Sequence, residues 1–169
     1  MLKRTDLMDA TNYDWAITRS GYTWIEGDLE IGVEIETLPG GRVRVTNTDH
    51  NAGIELTETE LLHYGAIAVD YVQFIDYARG EDYSFRDVAD AIVAMGCDYG
   101  LTGSSQGLGI SLAYGAWLEI ANGRYRLWDE HGFELHAATP TGCAKAYAKL
   151  ESYRQQREWA AQQRKKENA

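Results

Sequence analysis

The chain lacks most of what would tie it to a metal, a membrane or a polyanion. It has only two cysteines, Cys97 and Cys143, far apart and without C-x-x-C spacing. Neither a disulfide framework nor a cysteine-based metal site is expected. Two prolines are too few for a proline-rich linker. No run approaches the ~20 apolar residues of a membrane helix. Basic Met1-Leu2-Lys3-Arg4 meets Thr5-Asp6 where a signal peptide needs an apolar segment. A cytoplasmic protein without membrane contact is the expectation. Lysine is missing between Lys3 and Lys145, and 16 Lys+Arg stand against 26 Asp+Glu, a net charge of −10. General binders of nucleic acid or anionic lipid draw most of their affinity from Lys and Arg on phosphate, so direct nucleic-acid binding is not expected.

With 169 residues, 44% of them hydrophobic, the chain is long enough to bury a core unaided. Its acidity is uneven. Residues 1–100 hold 19 acids and 7 bases, whereas residues 101–169 hold 7 acids and 9 bases. Such asymmetry points to a surface with a purpose.

The first half reads as strands and then helices. Tyr13 to Ile17 and Tyr22 to Ile25 flank Arg19-Ser20-Gly21. From Ile25 the pattern alternates, with Ile25, Leu29, Ile31, Val33 and Ile35 on one face and Glu26, Asp28, Glu30, Glu34 and Glu36 on the other. Leu38-Pro39-Gly40-Gly41 is a turn into Arg42-Val43-Arg44-Val45. The expected register sets Glu36 opposite Arg42, Glu34 opposite Arg44, Glu30 opposite Thr48 and Asp28 opposite His50. Thr57 and Glu60 form a capping box that opens a helix to about Arg79, closed by Gly80. Ser84 caps a second helix with an apolar stripe of Phe85, Val88, Ile92 and Met95, ended by Gly96.

Residues 100–115, rich in Gly and Ser, read as a loop or lobe seam. Asn122-Gly123 then predicts a hairpin that pairs Leu118 with Leu127, Ile120 with Tyr125, Trp117 with Trp128 and Glu119 with Arg126. His131-Gly132 turns into a third strand, Phe133 to Ala138. Thr139-Pro140 starts a last helix, with Cys143, Ala146, Tyr147, Leu150 and Tyr153 as its buried stripe. The fold class is α+β: an antiparallel N-terminal hairpin sheet, two central helices, and a C-terminal three-stranded meander followed by a long helix. Residues 1–153 are expected as a single domain and 154–169 as a polar helical tail that could carry a homodimer contact.

Several motifs invite chemistry. Gly103-Ser104-Ser105-Gln106-Gly107 satisfies G-x-S-x-G, but an elbow needs a strand before and a helix after, which this stretch lacks. It supports only an alternative reading, a small hydrolase with Ser105 as nucleophile and a histidine such as His136 as base. A Walker loop fails for want of Gly-Lys-Ser/Thr. His131 and His136 with Asp129 or Glu130 match no zinc spacing, and Cys97-Asp98 sits at a helix C-terminus, where the dipole disfavours a thiolate. No cofactor and no catalytic residue are expected.

Two surface features remain. Successive carboxylates of Glu26, Asp28, Glu30, Glu34 and Glu36 would lie about 6.6 Å apart along a strand, close to the phosphate pitch of a nucleic-acid strand. Trp117, Arg126 and Trp128 have the makeup of interface anchors, although the expectation is that the Trp face packs under the C-terminal helix. In size and charge alone the chain is similar to the small acidic anti-restriction and anti-CRISPR inhibitors of phages and mobile elements. That likeness implies a non-enzymatic inhibitor that binds a basic protein, a nuclease or other nucleic-acid-handling complex. A structural subunit assembling through the C-terminal helix is the remaining alternative.

Overall fold

The computed structural model describes residues 1–78, 80–104, 107–122 and 124–169. The chain forms two units, one of residues 1–80 with 103–108 and one of residues 81–102 with 109–169.

In the first unit, α1 (Arg4–Thr11) precedes five strands, β1 (Asp14–Ile17), β2 (Gly21–Glu26), β3 (Leu29–Leu38), β4 (Arg42–Asn47) and β5 (Ala52–Thr57). They pair in sequence order as one antiparallel sheet. The segment expected to alternate unbroken from Ile25 is divided. Gly27, at φ +62, and Asp28 make a two-residue turn between β2 and β3. A bulge follows, where the register slips between Thr23 and Ile25. The slip is two residues, an even number that leaves the alternation of faces along β3 intact, so Val33 and Ile35 are buried while Glu34 and Glu36 are exposed.

The β3–β4 register differs from the expected one by two residues. The loop is three residues long, with Gly40 and Gly41 at positive φ, so Leu38 pairs with Arg42, Glu36 with Arg44 and Glu34 with Thr46. The β3–β4 pairs run only from Val33, so Glu30 does not face Thr48 and pairs with Ile25 of β2, and Asp28 occupies the turn instead of facing His50.

The buried face carries Trp15, Val33, Ile35, Val43, Val45 and Leu56. Against it stand α2 (Glu58–Tyr64) and α3 (Ala66–Gln73), which bring Leu61, Ala68, Val69 and Val72. Each fully buried large aliphatic side chain stabilises by about 1.5–3 kcal/mol. Two buried polar side chains here are satisfied: Asn47 donates to the Val72 carbonyl at 3.1 Å, and Trp15 Nε1 donates to Thr11 Oγ1 at 3.0 Å.

The Thr57–Glu60 capping box is present, but the single helix expected to Arg79 is broken at Gly65. There φ is +55, and a Cβ would lie 2.2 Å from the Ala10 carbonyl oxygen of α1. Only glycine permits that approach. A short 3-10 turn (Ile75–Ala78) follows α3, and Arg79 lies outside the described residues.

In the second unit α4 (Phe85–Met95) has its Ser84–Asp87 capping box and ends at Gly96 in the left-handed conformation. The Gly/Ser stretch read as a loop forms two strands, β6 (Tyr99–Ser104) and β7 (Gly107–Leu112). They join β8 (Trp117–Ala121), β9 (Arg124–Trp128) and β10 (Glu134–Ala137) in the order β10-β9-β8-β7-β6. Aromatic rings lie where glycine side chains would be. Within the first unit, to which residues 103–108 belong, a Cβ on Gly103 would meet the Tyr77 ring at 2.2 Å; within the second, one on Gly109 would meet the Trp117 ring at 2.3 Å. Glycine here admits a covering aromatic ring and does not break the strand.

The β8–β9 register is the expected one throughout. Asn122 carries the turn at φ +52, and Gly123 lies outside the described residues. The final helix, α5 (Pro140–Glu167), is capped by Thr139, whose hydroxyl accepts from the Gly142 N–H. It buries Cys143, Ala146, Tyr147 and Leu150. Tyr153, expected in that stripe, is instead exposed and stacks on Phe133 at 4.6 Å.

Candidate interaction surface

On the first sheet, the outer face is fixed by register. Glu34 lies between Thr23 and Thr46, and Glu36 lies between Gly21 and Arg44, with Glu55 beyond. Gly21 and Gly53 let the strands come close, since a Cβ on either would strike a carbonyl of the next strand at 1.9 and 2.4 Å. A polar groove of about 340 Å³ lies over this region, lined by Thr18, Ser20, Glu34, Glu36, Arg44 and Thr46 among others. Its two carboxylates and one guanidinium suit a cationic or multiply hydrogen-bonding group.

The remaining carboxylates of the ladder sit elsewhere. Glu26 ends β2, Asp28 is in the turn and Glu30 is the second residue of β3, so these three crowd the tip of one hairpin. The five do not form a single evenly pitched row. They form a pair on the strand and a trio at its end. All five are exposed, and none makes an ion pair with a described residue. Two bases of this unit pair with other carboxylates: Arg4 with Asp14 at 3.1 Å and Arg42 with Glu55 at 2.6 Å. Residues 1–80 hold 14 acids against 6 bases, so the field around the sheet is negative. Nearby, Tyr13 donates its O–H to Asp70 at 2.7 Å and stacks on Trp24. Burial first, and then that carboxylate, raise its pKa and keep the phenol protonated.

The second sheet places the aromatic pair on the face away from α5. Its other face holds Leu118, Ile120, Tyr125 and Leu127, all buried. Burial is the main cause raising the Tyr125 pKa, with contributions from Asp87 and Asp90 of α4 and Cys143 of α5, which puts both helices on that side. The expectation that the Trp pair packs under the C-terminal helix is therefore corrected. Trp117 is 37% exposed and lies over Gly109, and Trp128 is half-buried beneath the Arg126 guanidinium at 4.7 Å. Arg126 Nε donates to Glu134 at 2.7 Å, and that hydrogen bond is the main cause holding Glu134 below the usual carboxylate range. His136 Nε2 lies 2.9 Å from the same carboxylate. Trp117, Arg126 and Trp128 thus share one surface, with Glu134 and His136 at its edge.

Chemistry-bearing side chains are otherwise dispersed. His50 pairs with Asp76 at 2.6 Å and His131 with Glu130 at 3.2 Å. Among the described residues no three His, Cys, Asp or Glu side chains are placed to hold a metal ion. Gly103 and Gly107 lie in adjacent strands, so a strand follows where a nucleophile elbow requires a helix. Ser105 itself lies outside the described residues. Cys97 and Cys143 are free, and burial pushes the Cys143 thiol up to about 12. No helix among the described residues is long and apolar enough to cross a membrane. Sequence reasoning missed the groove residues Thr18, Ser20 and Thr46, which carry no signal beyond ordinary turn and strand composition. Compared with known proteins, the chain matches no family model, no curated protein and no solved structure.

Proposed function

We propose that this is a non-enzymatic interaction protein whose acidic sheet docks on the cationic surface of a nucleic-acid-handling protein and blocks it, in the manner of a phage or mobile-element inhibitor. The observation that carries the reading is the set of exposed carboxylates Glu26, Asp28, Glu30, Glu34 and Glu36, none of them ion-paired with a described residue. Carboxylates outside any close ion pair keep charge available to a partner, although Glu36 lies opposite Arg44 in the sheet, and the set costs the fold self-repulsion. Glu34 and Glu36 flank a groove with room for a basic side chain. The hairpin-tip trio adds a second point of negative charge. A basic site evolved for phosphates draws much of its affinity from charge, without base-specific contacts. The Trp117, Arg126 and Trp128 surface supplies the aromatic and arginine anchors common at the centre of interfaces.

The test is capture from the native host, followed by assay of whatever is captured. The wild-type chain should retain a nucleic-acid-binding protein and suppress its binding to a labelled duplex. A chain carrying Asp28→Asn, Glu30→Gln, Glu34→Gln and Glu36→Gln should lose both effects. Equal inhibition by that variant removes the reading.

A further inference from the structure

Within the second unit, two residues that each carry a buried polar atom, of opposite hydrogen-bonding character, line one small cavity. Asp129 is 8% exposed, and its Oδ1 accepts from the His131 N–H at 2.9 Å and the Phe133 N–H at 2.8 Å. Its Oδ2 is buried and has no hydrogen-bond partner among the described residues. Arg154 donates from Nη1 to Glu158 at 2.7 Å and lays its guanidinium 3.8 Å over the Tyr114 ring. Its Nε–H, also buried, has none either. Both side chains line a cavity of about 10 Å³, with Tyr114, Tyr147 and Glu151 in the same wall. That is the space of one water molecule.

The occupant's chemistry follows from the two orphans. It must donate to a carboxylate oxygen and accept from a guanidinium N–H at once. An ammonium can only donate, and a halide can only accept. A single hydroxyl does both. We infer that this cavity binds one O–H group, which bridges Asp129 Oδ2 and Arg154 Nε. Two sources share that chemistry. One is an ordered water. The other is an alcohol reaching in from the pocket of about 440 Å³ that shares Ala113, Tyr114, Tyr147 and Glu151 with the cavity and is bordered by Cys97 and Asp98. The bridge ties α5 to the β9–β10 turn at the point where the helix leaves its buried stripe.

Nuclear magnetic resonance on the full chain labelled with ¹⁵N-arginine tests this, with methanol as the alcohol probe. The Arg154 Nε–H should give a cross-peak to water in buffer. On titration with methanol the cross-peak either persists, assigning the site to water, or is replaced by one to the methanol methyl with saturable shifts, assigning it to an alcohol. Arg154→Met should erase the signal while the remaining spectrum stays that of the folded chain. A high-resolution crystal structure should show an oxygen within hydrogen-bond distance of both atoms. The inference is overturned if Arg154 Nε–H shows neither cross-peak, or if the crystal structure shows it bonded directly to Asp129.

Discussion

Replacing Glu34 with glutamine should make the protein slightly more stable, and the structure gives the size of the effect. Its cross-strand neighbours Thr23 and Thr46 are uncharged, and Glu34 makes no ion pair with a described residue. The nearest like charge on its face is Glu36, two strand residues away. Carboxylates about 6.6 Å apart repel by about 0.6 kcal/mol in water, and screening at physiological salt leaves about 0.3 kcal/mol. For a chain of this length that is a rise in Tm of about 1 °C in buffer and about 2 °C at low salt. Glu36→Gln should be close to neutral, because relief from Glu34 is offset by loss of the cross-strand attraction to Arg44. The double change Asp28→Asn, Glu30→Gln should likewise leave melting unchanged or slightly raised. Calorimetry across a salt series reads all three. A fall of several degrees for Glu34→Gln would show that this carboxylate is structurally paired, and the argument that it is held for a partner would go.

Other outcomes test separate parts of the account. Gly65→Ala should destabilise by about 3 kcal/mol or more, since it combines a disfavoured backbone conformation with a 2.2 Å approach to the Ala10 carbonyl; a denaturant midpoint within error of wild type contradicts the observed break between α2 and α3. Deleting residues 155–169 should cost under about 1 kcal/mol, because these positions are mostly exposed and the one ion pair described there is Arg154 with Glu158; a truncated chain that fails to fold would show the tail packed on its own core. Glu134 has a lowered folded pKa, caused chiefly by the Arg126 hydrogen bond. Its contribution is therefore present above the unfolded pKa and lost as pH falls through the lower folded value. Carboxyl titration by nuclear magnetic resonance should find its midpoint below that of an ordinary glutamate and returned upward by Arg126→Gln; an identical midpoint in both proteins refutes the pairing.

The features legible in the sequence were those set by local chemistry. Capping boxes at Thr57 and Ser84 and the Thr139-Pro140 start hold because cap, acid and proline act within one turn. The β8–β9 register follows from a two-residue turn, which leaves no freedom in the pairing. What failed depended on distant partners. Gly65 reads as tolerable inside a helix until the Ala10 carbonyl is seen beside it. Glycine recurs through residues 100–115, and the rings of Tyr77 and Trp117 that cover Gly103 and Gly109 come from elsewhere in the chain. The short helix α1 gave no signal because its buried positions are only Leu7 and Thr11. The carboxylates were visible as exposed charge, but a pattern of alternating residues continues across the Gly27-Asp28 turn as if the strand were unbroken. Only the observed pairing separates Glu34 and Glu36 from the hairpin tip.

The central claim is that the exposed carboxylates of the first sheet steer and hold a cationic partner. The most direct measurement is the association rate constant with the captured partner as a function of ionic strength, for wild type and for the variant neutralised at Asp28, Glu30, Glu34 and Glu36. Electrostatic steering predicts a wild-type rate that falls by about tenfold or more from low to high salt. The variant should start near the wild-type high-salt value and change little. Equal rates and equal salt dependence in the two proteins would contradict the account.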